Sequence, residues 1–113
     1  PKTPRRQRQM CIRDSELKDL MSTVKDLVLI DVREEWEVKV ANIDNSLHIP
    51  ISDIQHRMDD FEANQPLAFI CHHGIRSRMV GNYFEENSFT NIFNLRNGID
   101  GWSKEVDKNV PTY

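Results

Sequence analysis

Apolar positions recur along this chain in two alternating patterns. One is helical: Leu17, Leu20, Met21 and Val24 fall at i, i+3, i+4 and i+7, so one stripe faces a core. Asp14 or Ser15 can cap that helix, which ends between Thr23 and Lys25. The other pattern is a short continuous apolar run. "LVLID" (27–31) and "LAFIC" (67–71) suit strands buried on both faces, as in a parallel sheet. "SLHIP" (46–50) predicts a strand stopped by Pro50, and "NIFNL" (91–95) a further one.

Helical segments lie between these runs. After "VREE", the stretch to Ala41 predicts a short helix, with Glu34, Glu35 and Glu37 favouring its N-terminus through the macrodipole. "SDIQHRMDDF" predicts a helix capped by Ser52 or Asp53, with Ile54, Met58 and Phe61 on one face. Met79, Val80, Tyr83 and Phe84 repeat at helical spacing and are expected in the core, with Asn87 and Ser88 ending that helix. Gly98 and Gly101 flank a last turn holding Trp102. Strands alternating with helices define an α/β domain with right-handed crossovers, in which ligands sit at the carboxyl ends of the strands.

Composition narrows the class. A chain of 113 residues with 38% hydrophobic content suits one folded domain. No run approaches a membrane span and no apolar signal core follows the N-terminus, so a cytoplasmic location without membrane attachment is expected. Two cysteines sixty positions apart form neither a CxxC pair nor a secreted framework.

The first fifteen residues differ from the rest. "PKTPRRQRQMCIRDS" holds five Lys or Arg and one acid, +4, against a formal −3 for the whole chain, leaving −7 for the remainder. A basic arm for nucleic acid or an anionic membrane surface is one reading, and a disordered tail another. The third is that "RQMCIRDS" resembles the read-through translation of a transposon-end sequencing adapter, ATG-TGT-ATA-AGA-GAC-AG encoding Met10 to Asp14. On that reading residues 1–14 are a non-native tail and the domain runs over 15–113. With the remainder at −7 and no basic stripe with interleaved aromatics, nucleic-acid binding is not expected.

The chemistry concentrates in "CHHGIRS", after the third apolar run. Gly74 permits a backbone conformation closed to other residues, so successive amides can turn inward as an anion-binding nest, to which the next helix adds its own unpaired amides. A thiol at that focus is favoured as the thiolate. Arg76 brings a permanent charge and a forked donor suited to oxyanions. Cys71 is thus placed either as a nucleophile or as a small apolar filler ending a strand. Adjacent His72 and His73 on a tight loop rarely face one ion, and His48 and His56 lack ligand spacing, so no metal is expected. Asp31 and Arg33 end the first long strand and either line the same cleft or form a structural ion pair.

Four segments in order carry a resemblance: "LIDVREEWE" (29–37), "HIPIS" (48–52), "CHHGIRS" (71–77) and "NLRNGIDGW" (94–102). Together they resemble a single-domain rhodanese, the thiosulfate-type sulfurtransferases. The resemblance implies a rhodanese-like fold, a central parallel sheet flanked by helices on both faces. It further implies that Cys71 carries a sulfane sulfur as a persulfide, with His72, His73, Gly74, Ile75, Arg76 and Ser77 as the binding loop and no cofactor. Its partners would be a small anionic sulfur donor, thiosulfate or a persulfide, and an acceptor that is a thiol, a protein or cyanide.

Two rivals go with it. Phosphatases or arsenate reductases resembling this fold carry five residues between Cys and Arg, whereas four stand here, His72 to Ile75. An inactive rhodanese-like binding module would normally lack the cysteine. There are also departures. Asn42, Asp44, Asn45 and Ser46 stand where a His-Ile-x-Gly-Ala pattern is usual, and Asn97 replaces a usual Gly. Asn45 and Asn97 are expected to fill those turns with left-handed backbone. His72 stands where thiosulfate users often have a fixed charge. The family's short first strand would fall at Met10 to Ile12, inside the suspect tail.

Overall fold

The computed structural model describes residues 10–43 and 45–111. Five parallel strands, β1 (Met10–Ile12), β2 (Val28–Asp31), β3 (Leu47–His48), β4 (Leu67–Ile70) and β5 (Ile92–Leu95), lie in the order β1-β5-β4-β2-β3. The helices are α1 (Asp14–Thr23), α2 (Glu35–Val40), α3 (Ile51–Arg57), α4 (Ile75–Glu86) and α5 (Gly98–Glu105), with a 3-10 turn over Met58–Asp60.

Side chains alternate across a strand, so a continuous apolar run feeds two cores at once. Leu29, Ala68 and Ile70 pack on one face with Leu17 of α1 and Ile99 and Trp102 of α5. Ile30, Leu67 and Phe69 pack on the other with Ile54 of α3 and Val80 and Phe84 of α4. Helices therefore cover both faces, as the resemblance implied.

β2 and β4 are neighbours, yet the chain leaves β2 toward β3 on one side and β4 toward β5 on the other. That reversal opens a crevice beyond the carboxyl ends of β2 and β4, the usual ligand position in open α/β sheets. Cys71 follows β4 directly.

Met10–Ile12, where the family's short first strand was expected, forms the edge strand β1 beside β5 with Ile12 buried, and α1 opens at Asp14. Several elements differ from the sequence reading. Arg13 precedes α1, its amide bonded to Glu16 Oε1 at 2.8 Å, so neither Asp14 nor Ser15 is the cap. Burial, and then the charge of Glu105, raises the Asp14 carboxyl above its ordinary range. Pro50, not Ser52 or Asp53, precedes α3.

The turn around Trp102 is a helix of 8 residues. Met79 and Tyr83, expected in the core, are 66% and 39% exposed. α4 turns Ser77, Val80, Gly81 and Phe84 to the sheet instead. Ser77 and Gly81 are small, so the helix lies close on that stripe, while Met79 and Tyr83 flank a groove with Ile51 and Ile54 of α3. Asn45 has φ 68, as expected, whereas Asn97 has φ −99 and Gly98 takes the left-handed position at φ 64. Asp44 and residues 1–9 and 112–113 lie outside the described residues, as does whatever the basic arm before Met10 does.

Candidate active site

The loop from Cys71 to α4 turns at Gly74, where φ is 93. The turn brings the Gly74 amide back onto the sulfur: it donates to Cys71 Sγ at 2.9 Å. Ser77, in the first turn of α4, sets its Oγ 3.3 Å from the same sulfur. Cys71 is 1% exposed. The sulfur thus ends a strand, lies under a loop, and is held by one amide and one hydroxyl.

The β5–α5 turn forms the wall behind the loop. Ile99 N–H donates to the Cys71 carbonyl at 2.8 Å and Asp100 N–H to that of His72 at 3.2 Å. A Cβ on Gly98 would collide with both carbonyls, and one on Gly74 with the Arg96 carbonyl. The loop and the "NLRNGIDGW" segment are therefore one interlocked unit. Gly98→Ala is expected to cost about 1–2 kcal/mol from the left-handed backbone alone, and to push the loop off its wall. A thermal melt together with the rate of Cys71 alkylation checks this, and an unchanged pair of values would contradict the interlock.

Arg76 points elsewhere than its sequence role suggested. Its Nη1 and Nη2 donate to Glu37 Oε2 and Oε1, each at 2.7 Å, in a fork that spans the crevice from α4 to α2. Glu37 is buried, and its Oε2 also accepts the Glu34 amide at 3.0 Å at the start of α2. Arg76 thus braces the helices on either side of the crevice, its charge met by Glu37, rather than standing open in the loop.

Asp31 and Arg33 form the structural pair and do not line the cleft. Both are at most 1% exposed, and Arg33 Nη2 lies 2.6 Å from Asp31 Oδ2. Arg33 also donates to the carbonyls of Glu37 at 3.3 Å and Ala41 at 2.5 Å. It thereby ties α2, and with it Glu37, to the end of β2. His48 Nε2 lies 2.7 Å from the Arg33 carbonyl, which occupies it in the same bracing.

The two loop histidines stack, ring centroids 4.0 Å apart. Burial, and then the neighbouring charge of His73, lowers the His72 pKa below the ordinary histidine value, with Arg76 acting the same way and Asp100 and Glu37 against it. His72 is therefore less charged near neutrality than an ordinary histidine. Ile75 is 71% exposed and does not close over the sulfur. Among the described residues no group of three or more His, Cys, Asp or Glu is placed to hold a metal ion, and no helix is long and apolar enough to cross a membrane.

Sequence reasoning missed Glu37 as a site residue, taking its carboxylate only as a helix-end charge. It also missed Asn94, which is 1% exposed in β5. Asn94 Oδ1 accepts a hydrogen bond from Ser77 Oγ, and Nδ2 donates to the Gly74 carbonyl at 3.3 Å. An Asn in the middle of an otherwise apolar run was the available signal.

A buried sulfur at the switch point, beneath an amide-bearing loop, defines a candidate cysteine site on an open α/β sheet. The family comparison agrees: the rhodanese-like domain family matches residues 14–105, and the chain belongs to that family. It is 34% identical over 95 residues to the putative sulfurtransferase YtwF of Bacillus subtilis, covering 84% of this chain and 91% of that protein. It is also 28% identical over 78 residues to the thiosulfate sulfurtransferase GlpE of Coxiella burnetii, covering 69% of this chain and 73% of that one. The crystal structure of a rhodanese-like domain protein from Staphylococcus aureus superposes with a TM-score of 0.78 at 27% identity, covering 93% and 99% of the two chains.

Proposed function

We propose that this domain is a sulfurtransferase that moves a sulfane sulfur through a persulfide on Cys71. The observation that carries the reading is the sulfur's setting: beyond β4, with the Gly74 amide at 2.9 Å and the Ser77 hydroxyl at 3.3 Å. The names of YtwF and GlpE point the same way.

In the first half-reaction the Cys71 thiolate attacks the outer sulfur of thiosulfate. A new S–S bond forms, the donor's S–S bond breaks, and sulfite leaves with its electron pair. In the second, cyanide or a thiolate attacks the outer sulfur of the persulfide, taking that sulfur and returning Cys71 as thiolate. Charge and atoms balance in both steps, and the chemistry so written needs no cofactor. A persulfide donor replaces thiosulfate without altering the scheme. The Gly74 amide and the N-terminal end of α4 are preorganised donors for the anionic persulfide, the main electrostatic contribution available here.

The phosphatase reading is weaker for two reasons. Four residues rather than five separate Cys71 and Arg76, which makes a smaller cradle. Arg76 is also forked onto Glu37, so it does not cap a tetrahedral oxyanion. The binding-module reading leaves the held cysteine without a use.

Initial rates of thiocyanate formation, measured across thiosulfate and cyanide concentrations, test the proposal. Parallel double-reciprocal lines are expected from the covalent relay, and intersecting lines would contradict it. In the same assay His72→Arg is expected to lower the thiosulfate KM about tenfold, because a fixed charge replaces an imidazole whose pKa is lowered. For the unsubstituted protein the sign follows from the lowered pKa of His72. Acidification below the ordinary histidine value adds positive charge at the loop, so thiosulfate binding strengthens as pH falls, and this gain shrinks in the arginine variant. An unchanged KM in His72→Arg would remove His72 from donor binding.

A further inference from the structure

We infer that Asn94 is a positioning residue that controls the protonation of Cys71 by deciding which way the Ser77 hydroxyl points. The inference deepens the sulfur-transfer reading, on which its importance for turnover rests, but its geometry stands without it.

The argument follows donors and acceptors along one chain of contacts. The Gly74 carbonyl can only accept, so the Asn94 atom facing it, 3.3 Å away, is the NH2 group. The other amide atom, Oδ1, then faces Ser77 Oγ. A carbonyl oxygen also only accepts, so the single hydroxyl proton of Ser77 goes to Asn94. Toward Cys71 Sγ, 3.3 Å away, Ser77 Oγ has lone pairs left and no proton. It can accept from a neutral S–H and cannot donate to a thiolate.

All three side chains are at most 1% exposed, so water does not easily replace a lost partner. When Cys71 ionises, or carries an anionic persulfide, a lone pair facing the sulfur is unfavourable. The hydroxyl must rotate about Cβ–Oγ to donate to the sulfur, giving up Asn94. Asn94 and the anionic sulfur therefore compete for one proton. The Gly74 amide, at 2.9 Å, serves the sulfur in either state. While the sulfur is a thiol the hydroxyl proton stays with Asn94, and the arrival of negative charge on the sulfur turns the hydroxyl over.

Other ionisable groups surround the loop: His72 and His73 within it, Arg76 on α4 with Glu37 from α2, Asp100 on α5, Asp31 and Arg33 after β2, and Arg96 and Cys11 on the β5 and β1 side. Cys11 Sγ lies 3.7 Å from Asn94 Nδ2 and so touches the donor end of the amide, not the end that holds Ser77. None of these groups is substituted in the variants below.

The test is the pH profile of Cys71 alkylation by iodoacetamide, resolved from Cys11 by peptide mass and measured without any sulfur donor. Asn94→Ala frees the Ser77 proton for the thiolate, so the midpoint falls and the rate on its acid side rises about fivefold, the worth of one hydrogen bond. Ser77→Ala removes the thiolate's hydroxyl donor, so the midpoint rises. In the Ser77→Ala background, Asn94→Ala has no further effect. Ser77→Ala leaves Asn94 donating to the Gly74 carbonyl and so covers the case in which Asn94→Ala does not fold: a midpoint that does not rise in Ser77→Ala would overturn the inference. Shifts of the same sign in Asn94→Ala and Ser77→Ala, or a shift from Asn94→Ala that persists without Ser77, would overturn the inference. Failure of sulfur loading with the opposed shifts intact would instead count against the sulfurtransferase reading alone.

Discussion

Exchange of Cys71 for serine is expected to lower thiocyanate formation from thiosulfate and cyanide at least a thousandfold, with the fold retained. The magnitude follows from the mechanism. Without a thiolate there is no covalent carrier, and the remaining donors can only hold the reactants near one another. A hydroxyl occupies less space than the thiol beneath Gly74 and Ser77, so packing changes little, and the thermal melt should stay within a few degrees of the parent. The rate comparison is made at equal protein concentration by following thiocyanate colorimetrically. Residual activity within tenfold of the parent would place the chemistry on another group.

Asp31→Ala is the substitution with the largest expected effect on stability. Asp31 accepts from the Arg33 guanidinium at 2.8 Å through Nε and 2.6 Å through Nη2, and from the Arg33 amide at 3.1 Å. With Arg33 wholly buried, removing the carboxylate breaks a buried ion pair together with its hydrogen bonds, a loss of about 3–5 kcal/mol. Against a typical domain stability of about 5–15 kcal/mol, that is a large fraction of the whole. Urea unfolding measures it, and a cost below about 1 kcal/mol would contradict the bracing role. The effect also reaches the loop. Arg33 carries the Glu37 and Ala41 carbonyls, so its displacement loosens α2 and the Glu37 fork on Arg76. The folded fraction of this variant is expected to load sulfur more slowly than the parent.

Legibility in the sequence followed the range of each interaction. β2, β4 and β5 were readable because a strand buried on both faces must be apolar throughout, and "LVLI", "LAFI" and "IF" are. The loop was readable because its parts, Cys71, Gly74 and Ser77, lie within a few residues and meet through local turns. α5 was not readable as a helix, since Gly98 and Gly101 argue for a turn until their packing against the Cys71 loop and Asp14 is known. Arg76 was read as an open oxyanion donor because its partner, Glu37, lies 39 positions away on another helix. Asn94 was hidden for the same reason, being 17 residues from the serine it holds. Met79 and Tyr83 show the limit of periodicity: four apolar residues at helical spacing cover a wider arc than the sheet, and the small Ser77 and Gly81 decide which side faces in. β1 was legible only through the resemblance, because its three residues sit in a basic segment, and its parallel pairing with β5 makes it a strand.

Intact-mass spectrometry of the purified protein after incubation with thiosulfate tests the central claim most directly, run beside Cys71→Ser and Cys11→Ser. The account requires a gain of about 32 Da, one sulfur, in the parent and in Cys11→Ser, absent in Cys71→Ser and reversed by cyanide. No gain with thiosulfate or with a persulfide donor, or a gain that survives in Cys71→Ser, would contradict it.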